Sequence, residues 1–159
     1  SGEVAIHISS DELAPRAATL RWSVTRVDGT PLDQGHRAVA IAPNTSALAH
    51  TLALKPFIAE YSERDVLVWL RLEDESGLTL SRNFVSFCRP KHMALLNPHI
   101  AVDVEQLHSE DGDHAFKITL TAANPALWVW IELHGVEAHY SDNFFCLEPD
   151  LPTTPSFGS

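Results

Sequence analysis

The sequence predicts an all-β chain, and three observations carry that expectation. Apolar and polar residues alternate at a period of two along most of the chain, no stretch of ten or more residues holds an apolar stripe at helical spacing, and clusters of Gly, Pro, Asn and Asp separate the alternating runs. In chain order, Val4, Ile6 and Ile8 alternate with Ala5 and His7, and Leu20, Trp22 and Val24 alternate with Arg21, Ser23 and Thr25, each run reading as a strand with one buried face. Asp28-Gly29 tolerates the positive φ angles of a tight hairpin, so the chain returns from Leu32 to Ile41 antiparallel to the strand before it, and Pro43-Asn44 ends that run. Further strands are expected over residues 48–54, 66–72 and 78–87, the last two joined through Glu73-Asp74-Glu75-Ser76-Gly77. Val66-Leu67-Val68-Trp69-Leu70 is apolar on both faces, which places it centrally in a sheet. Residues 56–64 read two ways, as a loop, which the proline and the charges favour, or as a segment containing a short helical turn.

Two prolines within Arg89-Pro90-Lys91-His92 and Asn97-Pro98 interrupt the alternation and make a short, stiff connector, so the reading places one unit over residues 1–90 and a smaller one over 91–159. In the second unit, alternation resumes at Ile100, Val102 and Val104, turns at Ser109-Glu110-Asp111-Gly112-Asp113, and continues through Phe116, Ile118 and Leu120. A further strand covers residues 127–133, and the stretch after it supplies a fourth. Pro149, Pro152 and Pro155 then make the tail unsuitable for a central strand. A unit of roughly sixty residues buries only ~60% of its unfolded surface, so this one is expected to lean on a neighbour.

The 159 residues carry a formal net charge of −10 with only 11 Lys and Arg, which argues against nucleic-acid binding, since phosphate neutralisation needs clustered cations. No apolar run approaches the ~20 residues of a membrane span. Ser1-Gly2-Glu3 has neither the basic nor the apolar region of a leader, and a start without Met suggests a processed or excised chain that is soluble and gives no compartment. Cys88 and Cys146 form no Cys-x-x-Cys pair and read as two buried thiols; a bond between them is the minor alternative, because Trp128 and Trp130 precede the second cysteine instead of following the first.

Chemistry is sparse. Glu73-Asp74-Glu75 and Glu110, Asp111 and Asp113 sit in turns, where solvated charge needs no function, and no pair of carboxyls is placed for glycoside hydrolysis. The nine histidines show no zinc spacing, Asp111-Gly112-Asp113 lacks the other ligands of a calcium loop, and no nucleophile elbow or phosphate loop is present. Neither a metal nor a cofactor is implied. Asn44-Thr45-Ser46 matches a glycosylation acceptor, a weak three-residue pattern. The aromatic residues matter more: strict alternation puts Leu127, Val129, Ile131 and Leu133 on one face of a strand and Trp128 and Trp130 on the other. Two tryptophans so placed serve either as a sugar-stacking platform or, the favoured reading, as an interface buried against another domain.

Tyr140-Ser141-Asp142-Asn143-Phe144-Phe145-Cys146-Leu147-Glu148-Pro149, following Leu127-Trp128-Val129-Trp130-Ile131-Glu132-Leu133, resembles the C-terminal β-sandwich region of the β-mannosidases of glycoside hydrolase family 2. Ser81-Arg82-Asn83-Phe84 before Pro90-Lys91 resembles the end of the preceding domain, and Leu20-Arg21-Trp22-Ser23-Val24 with Val27-Asp28-Gly29 resembles a strand and turn within it. Cys146 stands where the family usually has Asp, and Glu148-Pro149-Asp150 replaces the usual Pro-Gly ending, which leaves related exo-acting β-glycosidases of the same family open.

The resemblance implies two immunoglobulin-like β-sandwich units, the second small and with truncation left open, from an enzyme that removes terminal β-linked mannose. It also implies that the catalytic glutamates belong to a separate (β/α)₈ barrel, so that no residue here inherits their role. The barrel of the same parent chain is the implied partner, with a β-mannoside oligosaccharide as a further one. Trp128, Trp130, Tyr140, Asp142 and Asn143 are the residues to which carbohydrate or interdomain contact is assigned. A carbohydrate-binding module using Trp128 and Trp130, and a plain protein-interaction sandwich, are the rival readings. Asp142 and Asn143 are expected first to bond their own backbone in a turn.

Overall fold

A computed structural model of the chain describes residues 2–11, 13–93, 95–107, 115–129, 139–140, 145–152 and 156–158. It divides into two compact units, Ser1–Ala94 and Leu95–Ser159.

The first unit contains β1 (Glu3–Ser10), β2 (Arg16–Arg26), β3 (Pro31–Ile41), β4 (Thr45–Ala53), α1 (Lys55–Tyr61), β5 (Val66–Asp74) and β6 (Thr79–Ser86), followed by one turn of 3₁₀-helix at Pro90–His92. All pairings are antiparallel. β1 pairs with β4 in a two-stranded sheet, and the other four strands run in the order β3-β2-β5-β6. Their inward residues form one core, in which Ile6, Leu52 and Leu54 from the smaller sheet side meet Leu20, Val24, Val66 and Val68 from the larger sheet. This is the all-β sandwich expected from the alternation, and all six expected strands of the unit form.

In this unit the β2–β3 and β5–β6 turns are each built by an aspartate. Asp28 Oδ1 accepts a hydrogen bond from the Thr30 amide at 2.9 Å, beside Gly29 at φ 88°. Asp74 Oδ1 accepts from the Ser76 amide, the Ser76 hydroxyl and the Leu78 amide at 2.9, 2.6 and 2.9 Å, beside Gly77 at φ 85°. Asp and Gly occupy these positions because a short acceptor ties the loop to itself and only glycine takes such a φ without cost. β5 is central as expected: it lies between β2 and β6, and Val66, Leu67, Val68 and Trp69 are all buried. On its second face Trp69 Nε1 donates to Thr25 Oγ1 at 2.9 Å, so the buried indole keeps its hydrogen bond.

Residues 56–64, where a loop is the favoured reading, instead hold a two-turn helix, α1. Pro56 sits in its first turn, where a missing N–H costs nothing, and Phe57, Ile58 and Tyr61 pack against the core. Its far end is tied down by Arg26, which donates to Asp65 through Nε and Nη2 at 2.8 and 2.6 Å and lies 5.3 Å over the Tyr61 ring. Packing and this clamp outweigh the weak local signal.

The second unit contains β7 (Ala101–Leu107), β8 (Ala115–Thr121), β9 (Ala126–Val129), β10 (His139–Tyr140), β11 (Phe145–Leu147) and β12 (Ser156–Gly158), in sheets ordered β10-β12-β8-β7 and β11-β9. Ile118, Leu120, Ala122, Ala126 and Leu147 make its core, joined by Phe116 and Val129.

One feature of this unit departs from the sequence expectation. The tail does supply an internal strand, since β12 lies between β10 and β8; the prolines at 149, 152 and 155 all precede it and leave the amides of 156–158 able to pair. Val102 and Val104, which carry the alternation of β7, are 62% and 57% exposed. They stand on the same sheet face as Leu120 and Ile118, their register partners, but at the edge of the sheet. Finally, β9 pairs with β11 through a register shift, with Val129 opposite Phe145 and Ala126 opposite Leu147. That bulge brings both Ala126 and Val129 to the core. The Ser109 to Asp113 turn and residues 130–133 of the expected strand lie outside the described residues.

Candidate functional site

Of the five residues singled out in the sequence, the structure places two backbones. Trp128 lies in β9 and Tyr140 in β10, which belong to different sheets. Trp130, Asp142 and Asn143 lie outside the described residues, so the structure neither assembles nor separates the group.

Elsewhere, Asp28, Asp65, Glu73 and Asp74 bond to arginines and turn amides of the first unit. Glu73, expected in a turn, is in β5 with its side chain only 13% exposed, between two arginines: Arg21 Nε donates to Oε2 at 2.7 Å, and Arg71 Nε stands 2.8 Å from Oε1 without aiming its N–H at that oxygen. The hydrogen bond from Arg21, with the charge of Arg71 beside it, holds Glu73 below the ordinary carboxylate range in spite of its burial. Asp74 is lowered likewise, first by the Ser76 hydroxyl and then by the Leu78 and Ser76 amides. A general acid at neutral pH needs the opposite shift, so Glu73 and Asp74 are fixed anions that organise cations and a turn. Among the described residues no group of three or more His, Cys, Asp or Glu side chains could hold a metal ion. Cys88 and Cys146 are both half-buried thiols without a disulfide.

A cleft of about 220 Å³ opens between β1, β3 and β4, lined by Ile8, Arg37, Val39, Ile41, Leu48 and several alanines. Its walls are aliphatic, with Arg37 and Thr45 as the only charged or hydroxyl side chains lining it, which is too few to orient a sugar. Elsewhere in the sandwich the half-buried Trp22 stacks on His50 with ring centroids 4.4 Å apart at 23°. The ring fits because residue 35 on the neighbouring strand is glycine: a Cβ there would lie 2.7 Å from Trp22 Cε2 and closer still to Cζ2. This tryptophan is therefore a half-buried ring packed against the core and seated on Gly35.

The outward face of the four-stranded sheet gathers residues that the sequence reading did not connect, namely His36, Arg21, Arg71 and Arg82 in one cross-strand row. Part of the row is readable in advance: His36 and Arg21 are symmetric about the Asp28-Gly29 turn, and Arg82 and Arg71 about Ser76-Gly77. Joining the two hairpins needs the β2–β5 register, which no local signal gives.

The fold and these sites define a pair of immunoglobulin-like β-sandwich domains in which the described residues show no reaction centre. Residues 2–92 match the Mannosidase Ig/CBM-like domain and residues 95–158 match an Ig-fold domain. The chain belongs to the family of mannosidase immunoglobulin-like domains, as the resemblance carried by its C-terminal stretch implies.

Among solved structures it is similar to the β-D-mannosidase of Dictyoglomus thermophilum, at a TM-score of 0.86 and 17% identity over 99% of this chain and 18% of that one. It is also similar to the exo-chitosanase of Amycolatopsis orientalis, at a TM-score of 0.73 and 17% identity over 98% of this chain and 22% of that one. At such identities the likeness is one of fold, and the chain spans about a fifth of the length of either enzyme. No curated protein matches the sequence.

Proposed function

We propose that the chain is the non-catalytic accessory part of a β-mannosidase-like glycoside hydrolase, bracing a separate barrel domain that hydrolyses terminal β-linked mannose. The observation that carries this reading is the match of both units, in order, to a mannosidase over 99% of this chain but only 18% of that enzyme, so that the larger part of such a protein lies beyond these residues. The carboxylates support it from the chemical side, because Glu73 and Asp74 are held ionised by structural partners. Trp128, Trp130, Tyr140, Asp142 and Asn143 are the residues proposed to meet the catalytic domain.

The experiment compares the whole parent enzyme with a version lacking residues 1–159, following hydrolysis of a nitrophenyl β-mannoside after heating. Bracing requires the shortened enzyme to inactivate faster and at lower temperature while any active fraction keeps its KM. Equal inactivation rates in the two proteins would remove the proposal.

A further inference from the structure

β3 forms one edge of the four-stranded sheet: it pairs with β2, and its other side meets no strand among the described residues. An unpaired row of N–H and C=O groups is a template for another strand, and native edges are blunted by proline, lysine, a bulge or brevity. β3 is 11 residues long, and its proline and its register shift both lie at its start, between Pro31 and Asp33, so that Gln34 to Ile41 carries none of these devices. The charges along it are few. Asp33 is its one acidic residue and Arg37 its one arginine or lysine. Within the sheet they stand opposite Val24 and Leu20, so neither gains an ion pair from β2. Both are exposed, and neither meets an opposite charge among the described residues; the Asp33 carboxylate accepts the adjacent Gln34 amide at 2.8 Å.

We infer that this edge joins two copies of the chain, β3 to β3 and antiparallel, about a two-fold axis through Gly35. The charge pattern sets the axis. In a self-pairing centred on Gly35, residues equally far on either side stand opposite one another, so Asp33 of each copy faces Arg37 of the other and Gln34 faces His36. Asp33 and Arg37 share one face of the strand, and directly opposed residues have Cβ atoms about 4.5–5.5 Å apart, within reach of an ion pair that symmetry makes twice. Every other symmetric register of β3 sets these two charges opposite neutral residues or opposite themselves. Gly35 on the axis brings no side chain to the crossing, which lets a second backbone approach closely. β6, the other edge of the sheet, carries Arg82 but no carboxylate and so offers no such pair. A ladder this short is a small interface, so the dimer belongs to the weak, transient class. The inference stands on register and charge, whether or not the chain braces a barrel.

The test is sedimentation equilibrium of the 159-residue chain from about 10 μM to about 1 mM, the range in which a weak dimer forms. The expected result is a monomer–dimer equilibrium that weakens as salt is raised. Arg37→Asp and Asp33→Arg each set like charges opposite one another on both sides of the axis, and each should associate at least about tenfold more weakly, with Arg37→Gln between. An equal mixture of Arg37→Asp and Asp33→Arg should associate again to within about threefold of the wild-type chain, because every opposed pair is then Asp with Arg. Recovery on mixing cannot come from misfolded chains, and a thermal melt of each variant checks the fold directly. Lys91→Asp, the same charge change at an exposed position of the connector, leaves association unchanged. In the wild-type chain, hydrogen exchange at rising concentration should show protection gained along β3 and not along β6. A monomer at every concentration, equal loss in Lys91→Asp, no recovery on mixing the two folded variants, or protection gained in β6 instead of β3 would each overturn the assignment.

Discussion

At Gly35 the structure depends on a missing side chain. The Trp22 ring occupies the space that a Cβ would need, and it stacks on His50 from that position. Gly35→Ala therefore forces the indole off its seat and is expected to cost about 1–3 kcal/mol, read as a lower urea midpoint with an unchanged m-value. Wild-type stability in this variant would mean that Trp22 has a second, equally good position. Charge acts on a similar scale at Glu73. Its folded-state pKa is lowered, as are those of Asp74 and Asp28, so their stabilisation is complete above the ordinary values of 4.5 and 3.8 and is lost as pH falls through the lower folded values. The urea midpoint of the chain should accordingly fall from about pH 4.5 downward, and Glu73→Gln should flatten that fall while costing about 1 kcal/mol near neutrality, after discounting for solvent screening. If Glu73→Gln leaves both the neutral stability and the acid limb untouched, the two arginines do not depend on it.

Strands with local signals are the elements that the sequence reveals. β1 to β6 follow from alternation and from Asp-Gly and Ser-Gly turns, each a matter of neighbours in the chain. α1 is hidden because two turns hold too little periodicity to outweigh Pro56, and what fixes the helix is Arg26 and a core built from distant strands. The candidate site is legible only in part for the same reason. Trp128 announces itself by residue type, but the register of its strand is set by pairing with β11, and the arginine row exists only once β2 meets β5. β12 is the extreme case, three residues after a run of prolines that gain a central place through partners about forty residues away in β8. It is also open to test: removing residues 156–159 withdraws the strand between β10 and β8, so the β8 amides that face it should lose hydrogen-exchange protection while β2 and β5 keep theirs. Unchanged exchange along β8 would show that β12 adds no stability to the sheet.

The two units differ in size, and with it in the share of unfolded surface each can bury against chain entropy. Ser1–Ala94 closes two sheets over seven buried residues from four strands and the turn before α1, with a further layer from Trp22, Leu70, Leu72, Val85 and the helix. Among the described residues of Leu95–Ser159, the hydrophobic cluster is Ile118, Leu120, Ala122, Ala126 and Leu147, and Val102 and Val104 of β7 are exposed at an edge. A unit of about 65 residues buries only ~60% of its unfolded surface, and edge exposure of its apolar residues lowers the yield further. Produced separately, residues 1–94 should therefore unfold in one cooperative transition with fixed near-ultraviolet circular dichroism from Trp22 and Trp69, while residues 95–159 should keep strand content yet lack a sharp transition and bind a hydrophobic dye. The measurement separates two physical accounts of the second unit. If residues 95–159 alone melt cooperatively, the unit's own core suffices; if they do not, this half draws stability from its neighbours, and Val102→Lys, at an exposed edge position, should leave the isolated chain within about 0.5 kcal/mol of its starting stability.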